Sequence, residues 1–177
     1  MALVKPNTGP RMGKKAEILE RLGGIAPALR RYSRALCAGA GHTLSDELVQ
    51  SALQNVGARI RARELRPADL QEARLEAYAA LTASAAKRLT EASRPTPRHP
   101  PIVHGLAELS LDDRAALLLV SLEGMGYEAA ARVLGIQRAA LLSGLMRART
   151  ALGVVGLPPA DAESGARRAA SHLRIVK

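Results

Sequence analysis

The sequence contains no phenylalanine and no tryptophan, and it has only three tyrosines among its 177 residues. Any hydrophobic core must therefore consist mainly of Leu, Ala, Val and Ile side chains. Strands favour aromatic residues, whereas Leu and Ala are good helix formers. The composition therefore favours an all-α fold and argues against a core built on sheets.

Cysteines and long apolar segments are scarce as well. Cys37 is the single cysteine, so no disulfide can form within the chain, and its apolar neighbours favour a buried thiol in a reducing compartment. No apolar run approaches the roughly 20 residues that cross a bilayer, and the N-terminus has no hydrophobic signal segment. We expect a cytoplasmic protein with no membrane partner.

The residue types that carry catalysis or bind metals form no pattern. The histidines lack nearby cysteines or carboxylates at the spacing of metal ligands; they are His42, His99, His104 and His172. No combination of nucleophile, base and orienting acid can be assembled. The sequence therefore predicts no enzyme, no catalytic residue, no metal site and no cofactor.

Positive charge, in contrast, is abundant. The formal net charge is +10 and the pI is near 10.8, and both halves of the chain carry an excess of Lys and Arg. Long-range attraction then favours polyanions or acidic protein surfaces as partners. The alternative is that these side chains only keep a protein rich in Ala and Leu soluble.

Apolar residues recur at helical spacing in the first half of the chain, after a basic arm at residues 1–15 that has no such pattern. The first stripe consists of Ile25, Leu29, Tyr32 and Leu36. Two further helical segments follow, the first capped by Thr43 or Ser45 and the second opened by Pro67 in its first turn. Residues 16–93 are therefore predicted to form a bundle of three antiparallel helices.

Proline marks the boundary between two predicted domains. Residues 94–105 contain four prolines, which favours an extended linker at residues 94–107. Ser110 can cap the next helix, which should run to about Glu123. We assign residues 108–155 to a second small helical domain and residues 156–177 to a basic tail.

The second domain contains the pattern of a helix-turn-helix. Two segments, Tyr127 to Leu134 and Arg138 to Leu152, flank Gly135 at the turn, and Ala131 is small enough for the helices to touch there. The apolar residues expected to lock the second helix are Ile136, Leu141 and Leu145. An ordinary helical hairpin with a glycine turn is the alternative.

Longer motifs resemble a known family. The segment LSLDDRAALLLVSLEGMGYEAAARVLGI, followed by LMRAR, resembles the fourth conserved region of extracytoplasmic-function (ECF) sigma factors. The segment IAPALRRYSRALCAGAGHTLSDELVQSALQNV is similar to their second conserved region. The similarity is greatest to the alphaproteobacterial general-stress group and its response-regulator mimic. The resemblance implies two helical domains, sigma region 2-like and sigma region 4-like, joined by the proline-rich linker.

The motif DELVQ carries the implied polymerase contact. In the family this helix docks on the clamp helices of the RNA polymerase beta-prime subunit, while region 4 lies in the beta flap region. The resemblance therefore implies polymerase-binding roles for Asp46, Glu47, Gln50 and Gln54.

The sequence lacks several of the residues with which the family contacts nucleic acid. Where the family commonly has threonine, lysine and arginine facing DNA, this chain has Ala140, Leu142 and Gly144, which cannot bond base edges. The remaining candidates for binding the backbone of DNA or emerging RNA are Arg138, Ser143, Arg147 and Arg149, together with Arg59, Arg61 and Arg63 after DELVQ. The last three have an alternative role in stabilising the helix dipole.

Aromatic residues that could capture unstacked bases are missing too, since Tyr78 is the one ring in the stretch that follows DELVQ. We therefore expect a sigma-like regulator that binds RNA polymerase and modifies transcription. It resembles reduced sigma-like regulators of phage-derived gene transfer agents, which implies antitermination or activation of such a gene cluster. The alternatives are a promoter-specifying ECF sigma factor and a sigma mimic that sequesters an anti-sigma factor.

Overall fold

The computed structural model describes residues 11–89 and 99–153. All regular structure in those two ranges is helical, which confirms the predicted all-α fold. The helices are α1 (Arg11–Leu22), α2 (Ala26–Cys37), α3 (His42–Arg61), α4 (Leu70–Arg88), α5 (Pro101–Glu108), α6 (Leu111–Leu117), α7 (Tyr127–Leu134) and α8 (Arg138–Ala151). We refer to α1–α4 as the N-terminal part and to α5–α8 as the C-terminal part.

Two tyrosines lie at the centre of the N-terminal part. Tyr32 on α2 and Tyr78 on α4 are fully buried, and their ring centroids are 5.2 Å apart in an edge-to-face arrangement. The Tyr32 hydroxyl lies 2.8 Å from Oγ1 of Thr82, which donates to the backbone oxygen of Tyr78. Burial raises the pKa of Tyr32. Because Tyr78 is part of this core, its ring cannot stack on a base.

Helix α1 was not predicted. It includes residues 11–15, which the sequence assigned to the arm, while residues 1–10 lie outside the described range. Ile18 and Leu22, one turn apart, are buried, and α1 packs against α3 and α4. The N-terminal part therefore has four helices, because a stripe of so few apolar residues is enough when neighbouring helices cover it.

The predicted helix starts in this part are wrong. Helix α3 begins at His42 after Gly41, with no side-chain cap, and the hydroxyl of Ser45 is buried inside the helix. Pro67 precedes α4, whose N-cap is Asp69; this carboxylate accepts a hydrogen bond from the Glu72 amide at 2.8 Å. A carboxylate cap satisfies an otherwise unpaired amide, so the helix starts after Asp69.

The prediction of an extended linker is wrong from residue 101 onward. Helix α5 begins there, with Pro101 at its first position and Pro100 in an extended conformation before it. A proline in the first turn lacks only an amide hydrogen that the helix would leave unpaired. Residues 94–98 lie outside the described range, as does the tail at 156–177.

Ser110 caps α6 as predicted, since its hydroxyl accepts a hydrogen bond from the Asp113 amide. The helix does not continue as one α-helix to Glu123, because residues 118–122 form a π-helical turn. The helix-turn-helix consists of α7 and α8, joined through Gly135 at φ +65°. Leu141 and Leu145 are buried, but Ile136 is 39% exposed and does not lock the second helix.

The two parts pack directly against each other. Helix α2 contacts α5, α6 and the π-helical turn, and α4 contacts α7. At one end of this contact Arg114 donates from Nη1 to the Leu36 oxygen at 2.7 Å, and from Nη2 to the oxygens of Ala107 and Leu109. One guanidinium group therefore ties the end of α2 to the turn between α5 and α6.

Candidate functional site

The outer face of α3 contains the predicted polymerase-binding residues. Asp46, Glu47, Gln50 and Gln54 are all exposed, and three of them follow one another at intervals of one helical turn. The opposite face of α3 lies in the core through Leu48, Val49, Ala52, Val56 and Ile60. The same amphipathic pattern that folds the helix therefore leaves a continuous polar surface in solvent.

Two of these residues take part in surface ion pairs with neighbouring helices. Asp46 lies 3.6 Å from Arg30 on α2, and Glu47 lies 2.6 Å from Arg88 on α4. All four side chains in the two pairs are about half exposed. Pairs of this kind contribute only about 0–1 kcal/mol, so another protein can replace them at little cost.

The arginines at the end of α3 and just beyond it do not form one patch. Arg59 pairs with Glu76 at 3.4 Å. Arg61 ends α3 with an exposed side chain, and its backbone oxygen accepts a hydrogen bond from Lys15. Arg63 has a left-handed backbone, at φ +64°, in the loop before α4.

Arg63 lies in a basic cleft that the sequence did not reveal. The cleft has a volume of about 660 Å³ between α1 and the loop from α3 to α4. Its cations come from both elements and are Lys14, Lys15, Arg63 and Arg66, and its apolar lining includes Ile18, Ile60 and Leu65. The sequence pattern does not predict α1 and assigns the lysines to a separate arm, so it does not bring the two groups of cations together.

The predicted nucleic-acid residues of α8 are largely occupied within the protein. Arg138 pairs with Glu128 at 3.2 Å and lies over the Tyr127 ring, and the Ser143 hydroxyl donates to the Ala139 oxygen. Arg147 makes two hydrogen bonds to the Asp113 carboxylate, at 2.6 and 3.0 Å. Arg149 is half-buried and has no ion pair in the described residues.

The family resemblance implies that Gly144 faces DNA, but in the structure it does not face outward. It is buried on the inner side of α8, where an added Cβ atom would come within 2.9 Å of Oδ1 of Asp113. The missing side chain makes room for the Asp113–Arg147 pair. Arg147 holds the pKa of Asp113 below its ordinary value.

The exposed side of α8 is apolar instead. Leu142 is 37% exposed and Met146 is 70% exposed, and Ala139 and Ala140 are exposed beside them. Large apolar side chains in solvent are uncommon on a surface that reads DNA, which needs donors and acceptors for base edges. The outer faces of α3 and α8 therefore differ sharply in their chemistry.

A buried carboxylate connects the two parts. The Glu123 side chain is fully buried and accepts two hydrogen bonds from Arg31 at 3.0 Å and one from the Tyr78 hydroxyl. Arg74 lies 3.7 Å from the same carboxylate. We call Arg31, Arg74, Tyr78 and Glu123 the Glu123 cluster; burial and the bond to Glu123 raise the pKa of Tyr78 to about 12.

Within residues 11–89 and 99–153, His, Cys, Asp and Glu form no group that could hold a metal ion. In the same ranges no helix combines the length and the hydropathy that spanning a bilayer requires. Cys37 is buried, and burial raises the pKa of its thiol.

The C-terminal part matches a known family. Residues 101–152, from the start of α5 to just beyond α8, match the family "Sigma-70, region 4". The match includes the helix-turn-helix and α5, most of which the prolines predict to be linker. The chain therefore contains a domain similar to region 4 of sigma-70 factors.

Solved structures show the same two-part fold. The sigma factor RpoE of Bartonella quintana, in complex with the anti-sigma factor NepR, is 22% identical over 78% of this chain and 95% of its own, with a TM-score of 0.52. The PhyRSL–NepR complex of Sphingomonas sp. Fr1 is 25% identical over 79% of this chain and 92% of its own, with a TM-score of 0.55.

The anti-anti-sigma factor PhyR of Bartonella quintana, complexed with NepR, is 18% identical over 76% of this chain, with a TM-score of 0.57. This chain spans about half of that PhyR chain, 49%. No curated protein matches the sequence. The predicted resemblance to the sigma family is confirmed at the level of fold and of the region 4 domain.

Proposed function

We propose that this protein is a regulator of transcription that binds RNA polymerase through the outer face of α3. The observation that carries the proposal is the exposure of Asp46, Glu47, Gln50 and Gln54 on one side of a helix whose other side is core. The C-terminal part packs on α2 and α4, so this polar face is accessible while the two parts are together. By its resemblance to the family, the binding site on polymerase is the clamp helices of the beta-prime subunit.

Nucleic acid is the second proposed partner, held by its backbone. The basic cleft has four cations along its edge and lining, and phosphates bind such groups with release of counterions. Arg61 is exposed close to the cleft. Arg138 and Arg147 already pair with carboxylates, and the large exposed side chains between them, Leu142 and Met146, are apolar. Helix α8 therefore offers less to a chain of phosphates than the cleft does.

We further propose that the protein acts after transcription initiation. Promoter opening separates base pairs at a stacking cost of about 0.6–2.2 kcal/mol per step, and captured bases usually stack on rings. Tyr78 is buried in the core, and Ala140 and Leu142 offer no donors to base edges. These observations favour a protein that remains on elongating polymerase and raises read-through of terminators over one that selects promoters.

Binding to core RNA polymerase tests the first claim. The double variant Asp46→Ala with Gln50→Ala should bind at least about tenfold more weakly, the equivalent of about 1.4 kcal/mol. The matched control is Glu17→Ala with Gln71→Ala, which also removes one ion-paired carboxylate and one exposed amide from the N-terminal part. Equal binding by both folded double variants would remove the α3 face from the proposal.

A transcription assay separates elongation from initiation. The template has a promoter followed by a terminator, and the protein is added to core polymerase either alone or with the housekeeping sigma factor. We expect increased read-through in the second reaction and no accurate start in the first. Accurate initiation by the protein alone, with unchanged termination, would make it a promoter-specifying ECF sigma factor.

A second candidate function is that of a sigma mimic which sequesters an anti-sigma factor. The similar solved structures favour it, since they are complexes with NepR and one of them contains an anti-anti-sigma factor. Titration of the protein with purified NepR, in competition with core polymerase, distinguishes the two. Tight binding of NepR without binding of polymerase would select the mimic.

A further inference from the structure

The outer face of α8 carries an apolar strip in solvent. The strip consists of Ala139, Leu142, Ser143, Met146 and Thr150, which are three or four positions apart and therefore share one side of the helix. Leu142 and Met146 are its large members, and Ile136 lies exposed in the turn before the helix. Leu141, Gly144, Leu145 and Ala148 occupy the buried side, so the strip has no role in the core of its own domain.

The hydroxyl groups within the strip do not make it polar. Ser143 donates to the Ala139 oxygen at 3.1 Å and Thr150 donates to the Met146 oxygen at 3.0 Å. Both hydroxyl hydrogens are therefore used inside the helix and are not available to base edges or phosphates. The part of the strip that faces solvent therefore consists mostly of carbon atoms.

Arginines border the strip on both sides. With 3.6 residues per turn, Arg138 and Arg149 lie along one edge and Arg147 lies along the other. The side chains of Arg138 and Arg147 are 57% and 64% exposed, so each can accept a second carboxylate beside the one it already holds. Helix α8 contains no acidic residue.

We propose that the outer face of α8 is a docking surface for an amphipathic helix of a protein partner, one with an apolar side and acidic flanks. The apolar side would cover Leu142 and Met146, and the acidic flanks would meet the arginines at both edges. A second copy of this chain fits less well, because the net charge of +10 opposes association of like copies. The proposal goes beyond binding of polymerase by α3, and neither depends on the other.

The probe is a synthetic peptide of 18 residues with leucines at i, i+3, i+4 and i+7 and glutamates beside them. We expect the protein to bind it at least about tenfold more tightly than a peptide of the same composition in scrambled order. The double variant Leu142→Ala with Met146→Ala should lose about tenfold or more of this affinity, because two side chains no longer bury apolar area.

The control is Ile102→Ala with Leu122→Ala, which removes two exposed apolar side chains elsewhere in the C-terminal part and should leave the affinity unchanged. Equal loss in both double variants, or equal binding of both peptides, would overturn the proposal. So would tighter binding of a 20-base-pair duplex DNA through Leu142 and Met146, or their burial in a dimer seen by sedimentation. The variant Asp46→Ala with Gln50→Ala should bind the peptide normally, so the two proposals fail separately.

Discussion

Helices α3 and α8 both bury an apolar face, but α3 exposes polar side chains where α8 exposes large apolar ones. Leu48 on α3 and Leu141 on α8 are both fully buried, whereas the outer faces show Gln50 on one helix and Met146 on the other. The inner faces must be apolar because they pack in the core of a domain. The outer faces have no such requirement. Their different chemistry fits the two different partners proposed, RNA polymerase for α3 and an acidic amphipathic helix for α8.

The largest expected effect separates inner faces from outer ones. Leu48→Ala and Leu141→Ala should each lower the free energy of unfolding by about 2–5 kcal/mol, because each leaves a cavity in a packed core. Gln50→Ala and Leu142→Ala, on the outer faces of the same helices, should change it by no more than about 0.5 kcal/mol. Urea unfolding followed by circular dichroism measures all four, and similar losses on both faces would contradict the assignment of the faces.

Next in size is the contact that joins the part containing α3 to the part containing α8. Glu123→Ala should cost about 1–3 kcal/mol, because the buried hydroxyl of Tyr78 loses its acceptor. In a Tyr78→Phe background the same substitution should cost less, which a double-mutant cycle detects. The exposed Glu108 gives the control Glu108→Ala, and additive losses in the cycle would show that Glu123 and Tyr78 do not interact.

A comparison within α8 tests the position of Gly144. Gly144→Val should destabilise the protein by about 1–3 kcal/mol, because the added atoms meet the Asp113 carboxylate at 2.9 Å or less and overpack the contact with α6. Ala140→Val on the exposed side adds a similar volume and should cost only the lower helix propensity of valine, below about 0.7 kcal/mol. Thermal unfolding of the two variants measures the difference, and equal costs would place Gly144 in solvent.

The smallest expected effect is a loss of stability at low pH, caused by the ion pair between Asp113 on α6 and Arg147 on α8. Arg147 lowers the pKa of Asp113 from an ordinary 3.8, so the pair's contribution is complete above that value and is lost as the pH falls through the lower pKa of the folded state. The wild type should therefore lose more stability between about pH 4 and about pH 2 than Asp113→Asn does. Urea unfolding at a series of pH values should give curves that converge, and parallel curves would contradict the pairing.

Local sequence patterns predicted the elements that depend on local spacing. The helix-turn-helix follows from Gly135 and from buried Leu141 and Leu145, and the amphipathic spacing of α3 predicted which of its residues face solvent. Proline misled the assignment of α5, because Pro101 stands where a helix accepts it. Helix α1 has too few apolar residues for its sequence pattern alone to predict a helix, and it depends on the neighbouring helices that cover it.

Contacts between distant residues could not be predicted in this way. The members of the Glu123 cluster are separated by as many as 92 positions in the sequence, and no periodicity relates them. The same is true of Gly144, whose burial depends on Asp113. The basic cleft likewise joins lysines of α1 to arginines beyond α3. Such sites depend on the way in which helices pack against each other. The spacing of apolar residues along one sequence does not predict that packing.

Crosslinking from the outer face of α3 tests the central claim most directly. A photoreactive amino acid is placed at Gln50, or at Gln71 on α4 as a control, and each protein is irradiated with core RNA polymerase. We predict a crosslink from position 50 to the clamp helices of the beta-prime subunit and a much weaker one from position 71. Crosslinks from position 71 alone, or from neither position while the protein still binds polymerase, would contradict docking through α3.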